Sequence, residues 1–233
     1  MPRATLLDYA YMAAASYGDP IGDVLNKFQA SPSHGNWNIV GYQAGTPANG
    51  FQGAIFESAD EVVCAYKGSK GGIRDRTTTG YDDWSINDVQ IALNKIPNQV
   101  PAATNFLNTA KHNAGNKPVS IVGHSLGGGL AQYVGYTESV RFVTFNAPGM
   151  RNNLPGNGAL RPVKGFNMIL LTDPVGNFGK HIGATERFLS VGTLNPFGGA
   201  ASFAHVMRNI IATLELGGNS TWAGMHLNQL VNV

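Results

Sequence analysis

Two kinds of hydrophobic pattern alternate along the chain. Short runs of unbroken apolar residues, closed by glycine, proline or asparagine, predict strands; longer stretches with apolar residues every three or four positions predict helices. The first helix is read in "LLDYAYMAAASY", with Leu7, Tyr11 and Ala14 spaced for one face. Residues 35–44 and 50–58 are short, glycine-flanked strand patterns suited to a hairpin, and "EVVCAYKG" (61–68) reads as a buried strand. Ile86, Val89, Leu93 and Ile96 mark one helical stretch, and Val100, Ala103, Phe106, Leu107 and Ala110 a second. Then come "PVSIVG" as strand, "LGGGLAQYVGYT" as helix, and "RFVTFNAPG" and "GFNMILLTDP" as strands. "RFLSVGT" (187–193) is a candidate further strand, and "FAHVMRNIIATLEL" (203–216) a last helix.

Strands interleaved with helices imply an α/β protein with a mostly parallel central sheet and helices on both faces. No internal repeat, low-complexity tract or linker interrupts the pattern, and residues 150–165 read as a polar loop. The expectation is one domain spanning residues 1–233.

Composition narrows the function classes. With 43% hydrophobic and 13% charged residues and a formal net charge of +2, the chain does not have the profile of a nucleic-acid binder. Lys67, Lys70, Arg74 and Arg76 form only a loose basic patch, which a solvated loop explains and which leaves contact with an anionic membrane surface open. Cys64 is the one cysteine, so no internal disulfide forms and the fold rests on its core. Its place inside an apolar strand argues against a nucleophilic thiol. No apolar run approaches the ~20 residues that span a bilayer. The N-terminal stretch is broken by Asp8 and does not read as a signal peptide, so the expected location is cytoplasmic, or outside the cell by a signal-peptide-independent route.

One stretch carries chemistry. Glycine inside a helix costs roughly 1 kcal/mol against alanine, yet the segment after the strand at 118–123 opens "LGGGLAQYVG". Gly123-His124-Ser125-Leu126-Gly127 is G-x-S-x-G at a strand-to-helix turn, the context in which that pattern holds a serine nucleophile above the sheet at a helix N-terminus. Such a serine needs a base, and the base an orienting carboxylate. Asp173 follows a buried run immediately before Pro174, at the carboxyl end of a predicted strand, where open α/β sheets place functional groups. Asp82 and Asp83 precede the turn and Glu138 ends the following helix, so they fit less well. With the order serine, acid, histidine, the base is His181, His205 or His226. His205 is favoured because it opens the last helix after a candidate strand and a returning loop. His181 is eight residues past Asp173, which leaves little chain for a return, and His226 lies in the C-terminal tail.

At these residues the chain resembles the class 3 (fungal-type) lipase family of α/β-hydrolases, in its bacterial lipase and phospholipase branch. The resemblance runs over roughly residues 50–215. "VVCAYKGS" is similar to the family strand whose closing hydroxy residue supplies an oxyanion-hole donor, which maps to Ser69. "DDWSIND" is similar to its tryptophan–aspartate segment, matching Trp84 and Asp88. "IVGHSLGGGLA", "VTFNAPG", "TDPVGNFG" and "HVMRNIIATL" follow in the family's order. The resemblance implies a lipase or phospholipase acting on lipid esters through Ser125, Asp173 and His205. The backbone N–H groups of Leu126 and Ser69 would form the oxyanion hole, and no metal or organic cofactor would take part. No G-x-G-x-x-G follows a strand, so nothing suggests a dinucleotide site. Residues 70–83 are longer and more polar than the family's apolar lid. Two further readings stay in view: a phospholipase effector delivered against other cells, and a non-catalytic binding protein on a hydrolase fold.

Overall fold

A computed structural model describes residues 3–45, 49–68, 96–155, 161–189, 205–216 and 220–231. Seven strands form one sheet in sequential order: β1 (Asn38–Gln43), β2 (Gly53–Glu57), β3 (Val62–Tyr66), β4 (Val119–His124), β5 (Arg141–Phe145), β6 (Gly165–Leu170) and β7 (Ala184–Phe188). β1, β2 and β3 pair antiparallel, and β3 through β7 pair parallel. Tyr66 lies beside Gly123, Gly123 beside Thr144 and Phe145 beside Met168, so the central strands deliver their carboxyl ends to one edge.

The helices are α1 (Leu6–Ala15), α2 (Ile21–Phe28), α3 (Ile96–Ala114), α4 (Leu126–Thr137), α5 (Met207–Leu216), α6 (Ser220–Ala223) and α7 (Leu227–Leu230). β3 is buried along its whole length, so its alternating side chains split between two cores. Val63 and Ala65 join Val122, Val143 and Phe166 under Leu6, Tyr9 and Met12 of α1, Val24 and Phe28 of α2, and Ile210 and Leu214 of α5. Val62, Cys64 and Tyr66 join Ile121 and Phe142 under Ala103 and Leu107 of α3 and Leu130 and Val134 of α4. Each fully buried side chain of this size contributes about 1.5–3 kcal/mol by leaving water.

The expected α/β-hydrolase architecture, a mostly parallel sheet covered on both faces, is the one observed. Several elements differ in detail. The first helix is apolar nearly all round, and its fully buried positions include Leu6, Tyr9, Ala10 and Ala13; Leu7, Tyr11 and Ala14 take the less covered side. α2 has no counterpart among the elements expected from sequence. The last strand spans Ala184–Phe188, earlier than 187–193, and residues 190–193 lie outside the described residues. Ile96 belongs to α3, which runs through Pro101. The helix expected from Ile86 to Leu93 lies outside the described residues. So do the stretch 70–83, Lys70, Arg74, Arg76, Trp84 and Asp88. Lys67 is not part of a solvated patch: it is buried, and its ammonium donates to Gln52 Oε1 at 2.7 Å.

Candidate active site

β4 ends in a backbone conformation that selects its own residues. Ser125 sits at φ 56° and ψ −129°, a left-handed position that side chains other than glycine seldom adopt. A Cβ on Gly123 would fall on the backbone of Gly127, and one on Gly127 on the Tyr66 carbonyl. Both glycines are therefore required by the closeness of α4 to β3 and β4. Ser125 N–H donates to the Phe145 carbonyl at 3.0 Å, and its own carbonyl accepts Gly129 N–H at 3.0 Å. The strained turn is thus tied to β5 on one side and to α4 on the other, with the Ser125 hydroxyl at the helix N-terminus.

Asp173 follows β6 in a turn closed by its N–H to the Leu170 carbonyl at 2.9 Å. It is 1% exposed, and its Oδ1 accepts the backbone N–H of Gly176. Asn146, at φ 44° just beyond β5, uses its side-chain oxygen to accept Leu170 N–H at 2.8 Å. That bond fixes the end of β6 against the end of β5 and, with it, the start of the Asp173 turn. His205 lies two residues before α5, not at its first position, and is 4% exposed.

These three side chains meet. His205 Nδ1 is 2.7 Å from Asp173 Oδ2, and Nε2 is 2.8 Å from Ser125 Oγ. A carboxylate only accepts, so Nδ1–H donates to Asp173 and Nε2 is left to accept from the Ser125 hydroxyl. That tautomer makes the imidazole a base aimed at the serine.

The other two histidines considered from sequence are engaged elsewhere. His181 Nε2–H donates to the Gly176 carbonyl at 2.8 Å, and Nδ1 faces the Gln132 amide at 3.4 Å. Burial holds its pKa below the usual range. His226 Nδ1–H donates to the Ala4 carbonyl at 3.2 Å, and the residue bridges to Thr5, joining the C-terminal segment to the N-terminal one. Glu138 pairs with Lys111 at 3.5 Å on the surface. Cys64 is buried, which pushes its thiol pKa up to about 12 and leaves it without thiolate character.

Of the two oxyanion candidates, Leu126 is the first residue of α4, directly after the serine. Ser69 lies outside the described residues. Its neighbour Gly68 is close to the centre: a Cβ there would stand 3.3 Å from the Ser125 Cβ. The segment ending at Gly68 therefore passes close to Ser125. Among the described residues no group of three His, Cys, Asp or Glu side chains is placed to hold a metal ion, and no helix is long and apolar enough to cross a membrane.

Two residues beside this centre, His124 and Tyr17, escape the sequence pattern. His124 is buried, and its ring centroid is 4.8 Å from that of His205. Its Nε2–H donates to the His205 backbone carbonyl at 2.6 Å, and its Nδ1 accepts the Tyr17 hydroxyl at 2.8 Å. In G-x-S-x-G it occupies a position open to any residue.

Comparison with known proteins bears on the family and the fold. The Tle-like phospholipase domain matches residues 9–161 of the 233, more than half of the chain. A Mycosarcoma maydis protein named as the lipase ATG15 is 29% identical over 183 residues, 64% of this chain; the chain spans only 34% of that protein. Among solved structures, a deletion mutant of the Rhizomucor miehei lipase–propeptide complex superposes with a TM-score of 0.51 at 15% identity. That match covers 80% of this chain and 66% of the other. A point mutant of MDLA from Penicillium cyclopium gives 0.52 at 15% identity, with 79% of each chain covered. At that identity the two structures speak for the fold alone. Together with the domain match, the ordered motifs from Gly123 to Gly127 and from Thr172 to Gly179 establish that the chain belongs to the class 3 lipase family of α/β-hydrolases, with a Tle-like phospholipase domain.

Proposed function

We propose that this protein hydrolyses carboxylic esters of lipids, phospholipids foremost, with Ser125 as nucleophile, His205 as general base and acid, and Asp173 as the group that orients the base. The reading is carried by the Asp173–His205–Ser125 hydrogen-bond chain at 2.7 and 2.8 Å, set at the turn that strains Ser125. The phospholipid preference rests on the domain match.

In this reading His205 Nε2 takes the hydroxyl proton as Ser125 Oγ bonds to the ester carbonyl carbon. The imidazolium that forms is stabilised by Asp173, which keeps Nδ1–H pointed at itself. Negative charge collects on the former carbonyl oxygen. The Leu126 N–H, with that of Ser69, would receive it, each donor being worth roughly 3 kcal/mol of barrier. Collapse breaks the ester C–O bond, and His205 gives its proton to the leaving alkoxide. Water then adds to the acyl-serine, losing a proton to Nε2, and the fatty acid departs as Ser125 recovers its hydrogen.

The experiment is Ser125→Ala, assayed on a p-nitrophenyl ester, phosphatidylglycerol and phosphatidylcholine vesicles and a triacylglycerol emulsion, with a fluorophosphonate label alongside. The expected result is a kcat loss on the order of 10⁶, loss of labelling, and a parent enzyme faster on vesicles than on the emulsion. Activity of the variant within tenfold of the parent would overturn the reading, and a preference for the emulsion would replace phospholipid with neutral lipid.

A further inference from the structure

We propose that Tyr17 and His124 are positioning residues for this centre, forming a bridge that couples the backbone of His205 to the Lys67–Gly68 segment, so that the base and that segment are held as one unit. The proposal rests on the catalytic reading of Ser125 and His205 given above.

The bridge has an unbroken sense of donation. The Gly68 backbone N–H donates to the Tyr17 hydroxyl. Tyr17 O–H donates to His124 Nδ1 at 2.8 Å, and His124 Nε2–H donates to the His205 carbonyl at 2.6 Å. Each group has one role, because a backbone carbonyl can only accept and a backbone N–H can only donate. His124 must therefore be the neutral Nε2–H tautomer. A protonated ring would turn Nδ1 into a donor facing Tyr17 and break the chain. Burial, followed by the neighbouring charge of His205, holds the His124 pKa well below its usual range, and burial also raises that of Tyr17, so both stay in the required forms.

Tyr17 is itself framed. The Gln52 amide Nε2 donates to the carbonyls on either side of it, Ser16 at 3.2 Å and Gly18 at 2.7 Å. Gln52 Oε1 accepts the Lys67 ammonium at 2.7 Å, and that ammonium lies 5.9 Å from the Tyr17 ring centroid. Lys67 precedes Gly68, so the frame ends on the segment from which the bridge starts. A Cβ on Gly68 would fall on the Tyr17 hydroxyl and 2.8 Å from the His124 carbonyl oxygen. Glycine there is what lets the hydroxyl approach.

Such an arrangement serves the reaction rather than the fold. When His205 swings between accepting a proton from Ser125 and giving it to the leaving group, its backbone is anchored by a bond that does not use its ring. The ring keeps both nitrogens for Asp173 and Ser125. The anchor continues to the Lys67–Gly68 segment, so misplacing one end misplaces the other.

The test is a set of variants assayed for kcat and KM on a soluble p-nitrophenyl ester and for thermal unfolding. Tyr17→Phe removes the hydroxyl and is expected to lower kcat about tenfold with KM within twofold. His124→Ala is expected to lower it about a hundredfold. His124→Gln can keep a side-chain N–H near the His205 carbonyl and is expected to regain most of that loss. Tyr17→Phe added to His124→Gln should then cost less than threefold, because the Tyr17–His124 bond is already altered. Parent-like kcat in both Tyr17→Phe and His124→Ala overturns the proposal. So does a loss that appears in KM, or one that tracks the unfolding temperature with no rescue by glutamine. Ser125→Ala separates the two readings: if it is active the catalytic assignment fails, and if it is inert while the bridge variants are parent-like only the bridge fails.

Discussion

Asp173 and His205, 32 residues apart in sequence, meet through a 2.7 Å hydrogen bond between buried groups, and that bond selects which nitrogen of the imidazole faces Ser125. Asp173→Asn keeps the size and most of the packing but places an N–H₂ or a weaker oxygen acceptor against Nδ1. The ring is then free to present Nε2–H to the serine, where it cannot act as a base. The expected outcome is a kcat loss of roughly 10⁴ with the fold retained, read from steady-state ester hydrolysis and circular dichroism. A loss below tenfold would remove Asp173 from the mechanism.

The histidines divide in the same assay. His205→Ala is expected to lose nearly as much as Ser125→Ala. His181→Ala and His226→Ala are expected to stay within tenfold of the parent, because their partners are the Gly176 and Ala4 carbonyls. His226→Ala should instead lower stability by about 1 kcal/mol, the worth of one tie between the terminal segments, measured by urea unfolding. Full loss of activity in His226→Ala with an active His205→Ala would move the base to the tail.

What the sequence makes legible follows from where local pattern and tertiary structure agree. β3, β4 and β6 are buried on both faces, so an unbroken apolar run identifies each of them. Ser125 is readable because a strained turn at close quarters demands glycine on both sides. Asp173 is readable from its place just after the β6 run, and chain order then narrows the base to three histidines, of which His205 stands just before α5. α2 is not, since Pro20 and Gly22 weaken its local helical signal and it is held through Val24 and Phe28 by tertiary packing. β7 is expected too late in the chain because Ala184–Phe188 has the half-polar pattern of an edge strand, whereas Leu189 beyond it is apolar but exposed. Tyr17 has no sequence signal at all: its partner His124 is 107 residues away, and a tyrosine ending a first helix has no distinguishing neighbour in sequence.

The elbow glycines make a sharper prediction about the fold than about catalysis. Gly127→Ala would drive a methyl into the Tyr66 carbonyl and 2.6 Å from the Lys67 carbonyl carbon. Both are backbone atoms of β3 and the segment after it, which cannot rotate away. The expected loss is about 3 kcal/mol or more, in line with overpacking against rigid surroundings, and the variant should lose fluorophosphonate labelling as the turn shifts. Gly22→Ala is the control, since no atom lies within 4 Å of the place its methyl would take. Equal stability of Gly127→Ala and parent in urea would show that the elbow can open.

The last prediction concerns pH and the charge that His124 does not carry. Burial, then the proximity of His205, lowers its folded pKa well below the value near 6.5 expected when unfolded. At a pH under that value the unfolded chain takes up a proton which the folded chain refuses. The stability this group supports is therefore complete above about pH 6.5 and is lost as pH falls through the window below it, by about 1.4 kcal/mol per pH unit. His181 adds a second contribution of the same sign, also from burial. Glu61, whose pKa burial raises, works the other way as pH climbs from about 4.5, since its folded state prefers the proton. Urea unfolding at pH 7.5 and 5.5 is expected to show a large loss for the parent and a smaller one for His124→Gln, which has no proton to take up. The comparison uses slopes, so any uniform destabilisation by glutamine drops out. Parallel slopes in the two proteins would mean that His124 is charged in the folded state at pH 5.5, and a bridge that needs it neutral could not then survive there.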